Sequence, residues 1–215
     1  MDVFEALYTT RAMRRVKPDP VPEEVVQQML DAAIRAPSPG NRQPWRFVAV
    51  TDRDQVAGLG ELYARSWAQL QATLYKGMRQ RAVAAGDETT QRVLTSGDWL
   101  AANFSQVPLV ILAYIRNDPD GSGIYPAVWN MMLAARAMGV GTTLTTVLHH
   151  FAQQEVADLV GVPADRGWRL AAAVSCGYPL GRWGVAARPP VENVVYADRW
   201  GEPPAWSAPE PLWSY

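Results

Sequence analysis

The chain has 215 residues, of which 48% are hydrophobic and 19% charged, and its formal net charge is −1. That balance excludes general disorder, and the length suffices to bury a core without staples. The near-neutral charge argues against a basic surface for nucleic acid spread over the whole domain.

The single cysteine, Cys176, excludes an internal disulfide and a cysteine-based metal site. His149 and His150 are the only histidines. They leave little for a zinc site or a Ser-His-Asp hydrolase. No long apolar stretch opens the chain, and no run reaches the roughly 18 apolar residues of a membrane span. The expectation is a cytoplasmic protein with no membrane partner.

In chain order, residues 2–10 read as a short helix with Val3, Phe4, Ala6 and Leu7 inward. A basic, proline-punctuated turn follows. The next helix spans about Pro22 to Ala36, with Val25, Val26, Met29, Leu30, Ala33 and Ile34 on one stripe. Glu23 and Glu24 sit where its dipole favours anions. Arg46–Val50 reads as a strand closed by Thr51-Asp52. Residues 54–85 read as helical, with Tyr63, Trp67, Leu70 and Leu74 as an aromatic-rich stripe, and a further helix runs to about Ala102.

Pro108–Ile115 is a short continuous apolar run, the pattern of a buried central strand. Asn117–Gly121 is a turn, and Tyr125–Met138 a helix apolar on most sides. Thr142–Val147 reads as a strand, Ala152–Val160 as a helix and Arg169–Cys176 as a strand. His149 and His150 fall where a turn is expected. From Leu180 onward Gly, Pro, Arg and Trp dominate, with a short strand expected at Val194–Tyr196. Trp200, Trp206 and Trp213 require a surface that hides them, either the chain's own domain or another subunit. Strands alternating with helices give an α/β or α+β sheet with helices on its faces.

Three clusters carry polar chemistry. Arg11, Arg14 and Arg15 suit a terminal phosphate, with a solvated basic face as the alternative. Pro37-Ser38-Pro39-Gly40-Asn41-Arg42-Gln43-Pro44-Trp45 presents hydroxyl, amide and backbone groups that read a flat heteroaromatic edge, or merely cap a connector. Gly139-Val140-Gly141 precedes Thr142, Thr143, Thr145 and Thr146. Its glycines follow a helix and precede a strand, the reverse of the dinucleotide-binding order. No nucleophile elbow, phosphate loop or HExxH string occurs. An enzyme built on this chain leaves its chemistry to a cofactor.

Together these strings resemble the flavin-dependent nitroreductase family. Thr10-Arg11-Ala12-Met13-Arg14-Arg15 is similar to the family's opening Arg-Arg-Ser-x-Arg run. Pro37-Ser38-Pro39-Gly40-Asn41-Arg42-Gln43-Pro44-Trp45 is similar to its Pro-Ser-x-x-Asn-x-Gln-Pro-Trp motif. Ala137–Gly141, Gly177-Tyr178-Pro179, Arg188-Pro189-Pro190 and Asp198-Arg199-Trp200 resemble its later pattern, so that the likeness covers about residues 3–202.

The resemblance implies an α+β fold, a central, mostly antiparallel sheet flanked by helices, and an intertwined homodimer with an exchanged C-terminal arm. It implies FMN at the dimer interface, NADPH or NADH as reductant, and a small-molecule electron acceptor. Residues 1–202 are then the FMN domain and 203–215 a Pro/Trp-rich arm. By position, Arg11, Ala12, Met13 and Arg14 follow the FMN phosphate and ribityl chain. Arg188, or Arg182 in its place, joins the phosphate. Pro37, Ser38, Pro39, Asn41 and Gln43 reach the flavin from the partner, and Thr145 and Thr146 approach the ring. No metal and no catalytic side chain are implied, since the flavin N5 carries the chemistry.

Thr10 and Ala12 depart from the family's Arg and Ser, which implies weaker phosphate binding. Residues 60–105 match no family string. Tyr63, Trp67, Tyr75, Trp99 and Phe104 are candidates there for an aromatic wall or for core. The implied activity is FMN-dependent reduction of nitroaromatics, quinones or similar acceptors by NAD(P)H. The alternatives are flavin sequestration without catalysis, dehalogenation, flavin destruction, or azoline dehydrogenation.

Overall fold

The computed structural model describes residues 1–208 and 210. In chain order its helices are α1 Val3–Thr9, α2 Glu23–Ala33, α3 Arg53–Ala72, α4 Met78–Ala84, α5 Glu88–Asn103, α6 Ile124–Ala137, α7 Val147–Phe151 and α8 Gln153–Leu159. Its strands are β1 Trp45–Val50, β2 Leu109–Ile115, β3 Gly141–Thr145 and β4 Arg169–Gly177. The chain forms two compact units, a larger one of Ala12–Arg182 and a smaller one that joins Met1–Arg11 to the segment from Trp183 onward. Among the described residues, no helix is long and apolar enough to cross a membrane.

The larger unit is an antiparallel sheet in the order β1-β2-β4-β3. Every residue of β2 is buried because helices cover both faces. Leu109, Ile111, Ala113 and Ile115 face a cluster with Met29 of α2 and Ile124, Val128 and Met131 of α6. Val110, Leu112 and Tyr114 face a second cluster with Leu59 and Tyr63 of α3, Leu100 of α5 and Leu148 of α7. A continuous apolar run is thus two alternating stripes, each with its own core. Opposite Ala113 and Tyr114 the β4 register slips by one residue, from Ala172 to Leu170. This bulge lets Leu170 join the second cluster while Ala171 stays with the first.

Aspartates start three of the helices, and Asp2 accepts from the Glu5 N–H at 2.8 Å at the head of α1. Asp52 accepts from the Gln55 N–H at 2.9 Å and Asp87 from the Thr90 N–H at 3.0 Å. The expected helix over 54–85 divides at residues 73–77. The Thr73 hydroxyl donates to the Gln69 carbonyl at 2.7 Å, and Gly77 takes a left-handed φ of 70°. Leu74 leaves the expected stripe and is exposed. The strand expected over Thr142–Val147 ends at Thr145, where the side-chain oxygen accepts from the Val147 N–H at 3.3 Å and turns the chain into α7. His149 and His150 therefore lie on a helix rather than in a turn, and His149 Nδ1 pairs with Gln153 Oε1 at 3.1 Å.

Within the smaller unit, α1 buries Ala6 but leaves Val3, Phe4 and Leu7 exposed, contrary to their expected inward placement. Val191–Val194 form a 3-10 turn in place of the expected strand, with the Pro190 carbonyl accepting from the Asn193 N–H at 3.0 Å. Trp200 is 91% exposed and Trp206 50%, so this chain alone does not hide them. Trp213 lies outside the described residues.

Residues 12–17 form an extended strap on the larger unit's sheet. Ala12 pairs in parallel with Thr142, and the Met13 N–H donates to the Thr142 carbonyl at 2.9 Å. The Lys17 N–H donates to Tyr178 O at 2.8 Å, and the Leu180 N–H donates to Arg15 O at 2.9 Å. Gly141 and Gly177, opposite each other in the β3–β4 ladder, make room for it. A Cβ on Gly141 would fall 2.8 Å from Met13 Cβ, and one on Gly177 2.9 Å from Val16 Cβ.

Asp118, buried in the turn before α6, accepts from the Ser122 N–H and hydroxyl at 3.0 Å and from the Gly123 N–H at 2.9 Å. Burial by itself would raise its pKa, but these hydrogen bonds outweigh that and hold the carboxyl below its ordinary value.

Two outcomes follow from these contacts. Gly177→Ala should lower stability by about 1–3 kcal/mol, read as a fall in the urea midpoint. An unchanged midpoint would mean that the strap moves aside freely. Asp118→Asn should cost about 1–2 kcal/mol at neutral pH. The folded pKa lies below the unfolded value, so the carboxylate's contribution is complete above the ordinary carboxyl range and is lost as pH falls through the folded value. The stability gap to wild type should therefore close below about pH 4, and a gap constant down to pH 3 contradicts the assignment.

Candidate functional site

Met13 and Val16 are buried, Arg14 is half-buried and Arg15 is exposed. Arg14 and Thr145 both favour the ionised form of the Tyr63 phenol. Tyr63 is 2% exposed and stacks on Phe104 with ring centroids 4.5 Å apart. Burial raises its pKa above the usual phenol value, against the opposing pull of Thr145 and Arg14. It therefore stays protonated near neutral pH and serves as a fixed hydroxyl. Thr143, in register with Ser175 on the same strand as Thr145, buries a hydroxyl that has no hydrogen-bond partner among the described residues. Thr146 is half-buried at the head of α7.

The second cluster is a strained loop. Gly40, Asn41 and Gln43 have φ of 58°, 52° and 49°. Left-handed φ is uncommon for residues other than glycine, and three within four residues persist only where the surroundings determine them. Ser38 Oγ accepts from the Gln43 N–H at 3.0 Å, and Gln43 Nε2 donates to Asn41 Oδ1 at 3.0 Å. The loop packs on the start of α6, where a Cβ on Gly123 would lie 3.5 Å from Ser38 Cβ and 3.6 Å from Pro39 Cδ. The Asp118 hydrogen bonds fix that helix start. Pro37, Pro39, Asn41 and Gln43 remain exposed, so a rigid set of amides and backbone groups faces outward.

Ala12, Met13, Arg14, Thr145 and Thr146 thus gather around β3, whereas Pro37, Ser38, Pro39, Asn41 and Gln43 form a separate feature on α6. Arg11 and Arg188 belong to the smaller unit. There Arg188 lines a cavity of about 440 Å³ with Leu7, Tyr8, Val185 and Pro190. Cys176 is buried in the sheet, and burial pushes its thiol pKa up, which leaves it inert.

Asp98 and Asp118 are the residues that sequence reasoning missed. Asp98 on α5 accepts from Trp67 Nε1 at 2.9 Å, Gln71 Nε2 at 3.2 Å and an Arg79 guanidinium nitrogen at 2.5 Å. One carboxylate thereby ties α3 and α4 to α5. Gly97 lets Trp67 lie against the α5 backbone, since a Cβ there would meet the indole at 2.4 Å. Of the proposed aromatic wall, Tyr63 and Phe104 are core, while Trp67, Tyr75 and Trp99 are half-buried. No spacing rule marks Asp98, because its partners come from two other helices. For Asp118, the Asp-Pro-Asp-Gly turn before an apolar helix was the available signal.

The donors fit a flavin. A cation beside paired hydroxyls suits an electron-rich ring edge, and amides that both donate and accept suit a pyrimidine edge. Known proteins agree with this reading of the fold. The chain is 27% identical to an NADH dehydrogenase of Thermus thermophilus, over 91% of this chain and 95% of that one. It is 31% identical to a 5,6-dimethylbenzimidazole synthase of Rhodospirillum rubrum, over 83% of this chain and 82% of the relative. Its fold matches that of an oxidized iodotyrosine deiodinase bound to FMN and 3-iodo-L-tyrosine, with a TM-score of 0.72, 23% identity, and 93% of this chain and 99% of that one covered. Residues 7–178 match the sequence model of the nitroreductase family, and the chain belongs to that family.

Proposed function

We propose that this protein is an FMN-dependent NAD(P)H oxidoreductase that reduces nitroaromatic, quinone or similar electron-poor acceptors. The observation that carries this reading is the strap that lays Ala12, Met13 and Arg14 along β3 in a chain that matches the nitroreductase family. Bound FMN would supply hydride acceptance and release at its N5. Ala12, Met13 and Arg14 follow its chain, and Arg11 with Arg188 holds the phosphate, with Arg182 as the substitute. Arg14 stabilises negative charge on the ring's pyrimidine edge, while Thr145 and Thr146 face the ring. Pro37, Ser38, Pro39, Asn41 and Gln43 come from a partner subunit. No side chain need act as general acid, since the flavin carries the chemistry.

The working unit is a cytoplasmic homodimer. Val3, Phe4, Leu7, Trp200 and Trp206 are exposed on this chain, and a second copy would cover them. The arm that contains residues 203–215 embraces that copy. A second reading, flavin destruction, is favoured by the 31% identity to the benzimidazole synthase. Dehalogenation has the structural likeness to the deiodinase behind it.

Replacing Arg11 and Arg188 together by Ala should leave purified protein without FMN, and full retention would remove both from the phosphate site. In the FMN-loaded wild type, anaerobic addition of NADPH or NADH should bleach the visible flavin band, and a quinone should restore it. A band that neither donor bleaches contradicts the oxidoreductase reading. Irreversible loss of the band in air after reduction points to flavin destruction.

A further inference from the structure

The strap's other arginine has a site of its own. Arg15 and the Glu88, Gln91, Arg92, Thr95 and Ser96 side of α5 line a hollow of about 480 Å³. These α5 residues recur at intervals of three and four, so they share one helix face. Trp99, one turn further on, lies under Arg15, whose guanidinium carbon is 5.7 Å from the ring centroid. Arg92 donates to Thr89 Oγ1 at 3.4 Å and lies 3.8 Å from Glu88, and both members of that pair are largely exposed. Such an exposed pair is weakly coupled and easily exchanged for a better partner.

Two guanidinium groups from distant parts of the chain therefore meet in one hollow with a single carboxylate. Two guanidinium cations against one carboxylate give the hollow a net positive charge. Two hydroxyls complete the polar lining, which suits a phosphate dianion: guanidinium forks bond its oxygens in pairs, and Thr95 and Ser96 donate to the remainder.

We infer that this hollow binds the phosphomonoester of the reductant, the 2′-phosphate that distinguishes NADPH from NADH. This rests on the oxidoreductase reading above. In that reading FMN's own phosphate is held by Arg11 and Arg188 and the acceptors are flat and uncharged, so the nicotinamide donor NADPH is the remaining species that carries a phosphomonoester. Arg15 follows Arg14 directly, so the strap that holds the flavin-facing cation also holds the phosphate-facing one.

Calorimetry with NADP⁺ and NAD⁺, which do not reduce flavin, tests the inference on FMN-loaded and flavin-free protein alike. Wild type should bind NADP⁺ at least about tenfold more tightly than NAD⁺, the order of effect of one charge-assisted contact. Arg92→Ala and Arg15→Gln should each reduce that preference and leave NAD⁺ binding unchanged. Glu88→Gln should increase it, an opposite sign that no loss of folding produces. Inorganic phosphate should compete with NADP⁺ in wild type and not in Arg92→Ala. Equal affinity for the two nucleotides in wild type, or a preference that survives the double Arg15→Gln, Arg92→Ala variant, overturns the inference. Phosphate binding without an NADP⁺ preference also overturns it, since the hollow would then take only the free ion. Failure of the oxidoreductase reading shows separately, as a chain that holds no FMN or whose bound flavin neither donor bleaches.

Discussion

Gly141 and Gly177 stand opposite each other in the β3–β4 ladder, and the space that their missing side chains leave is filled by Met13 and Val16. That close approach decides where residues 12–17 lie. The backbone hydrogen bonds to Thr142, Tyr178 and Leu180 then fix the strap's register. With the register set, Arg14 acts on the Tyr63 phenol and Arg15 lies over the Trp99 ring. One steric constraint therefore assigns two consecutive arginines to two different tasks.

The sheet behind this strap is apolar on both faces, and the polar groups sit at its margins. β2 contributes no hydrogen-bonding side chain other than the Tyr114 phenol, which has no partner among the described residues and whose pKa burial pushes up to about 12. Side-chain hydrogen bonds to the backbone are instead built at the ends of strands and helices, in the Ser38–Gln43 loop, the Asp118 turn and the Thr145–Val147 exit. Loops and element ends carry groups that a packed sheet cannot satisfy. The left-handed residues at Asn41 and Gln43 are tolerated because Ser38, Asn41 and Gln43 bond one another and the loop rests on α6.

The helices α3 to α5 differ in how they are held. Their packing on the sheet is hydrophobic, through Leu59, Tyr63, Leu70 and Leu100, but α4 is joined to the rest through Arg79 and the shared carboxylate of Asp98. A polar tie weakens with salt more than a buried apolar contact does. This part of the chain thus combines a fixed base with a more adaptable outer helix, and the face of α5 near Arg15 lies within it.

Much of this architecture was legible from the chain itself. The apolar run of β2, the stripe of α2 and the apolar α6 are strong local patterns, and tertiary packing agrees with them. The family strings around Arg11–Arg15 and Pro37–Trp45 pointed to the polar clusters, since motif residues and their order are properties of sequence alone. Other features belong to packing. Thr73 and Gly77 split a continuous helical pattern because a side-chain bond and a left-handed φ compete with it. Val3, Phe4 and Leu7 have the spacing of a buried helix face yet stay exposed, because periodicity records which face is apolar and not what covers it. Asp98, Tyr63 and the Arg15–Arg92 pair emerge only when distant helices meet. The sequence by itself determined the main strands and helices and the family. Tertiary structure alone decided which arginine faces which neighbour, because that depends on a close approach between residues more than 120 positions apart, which no local pattern encodes.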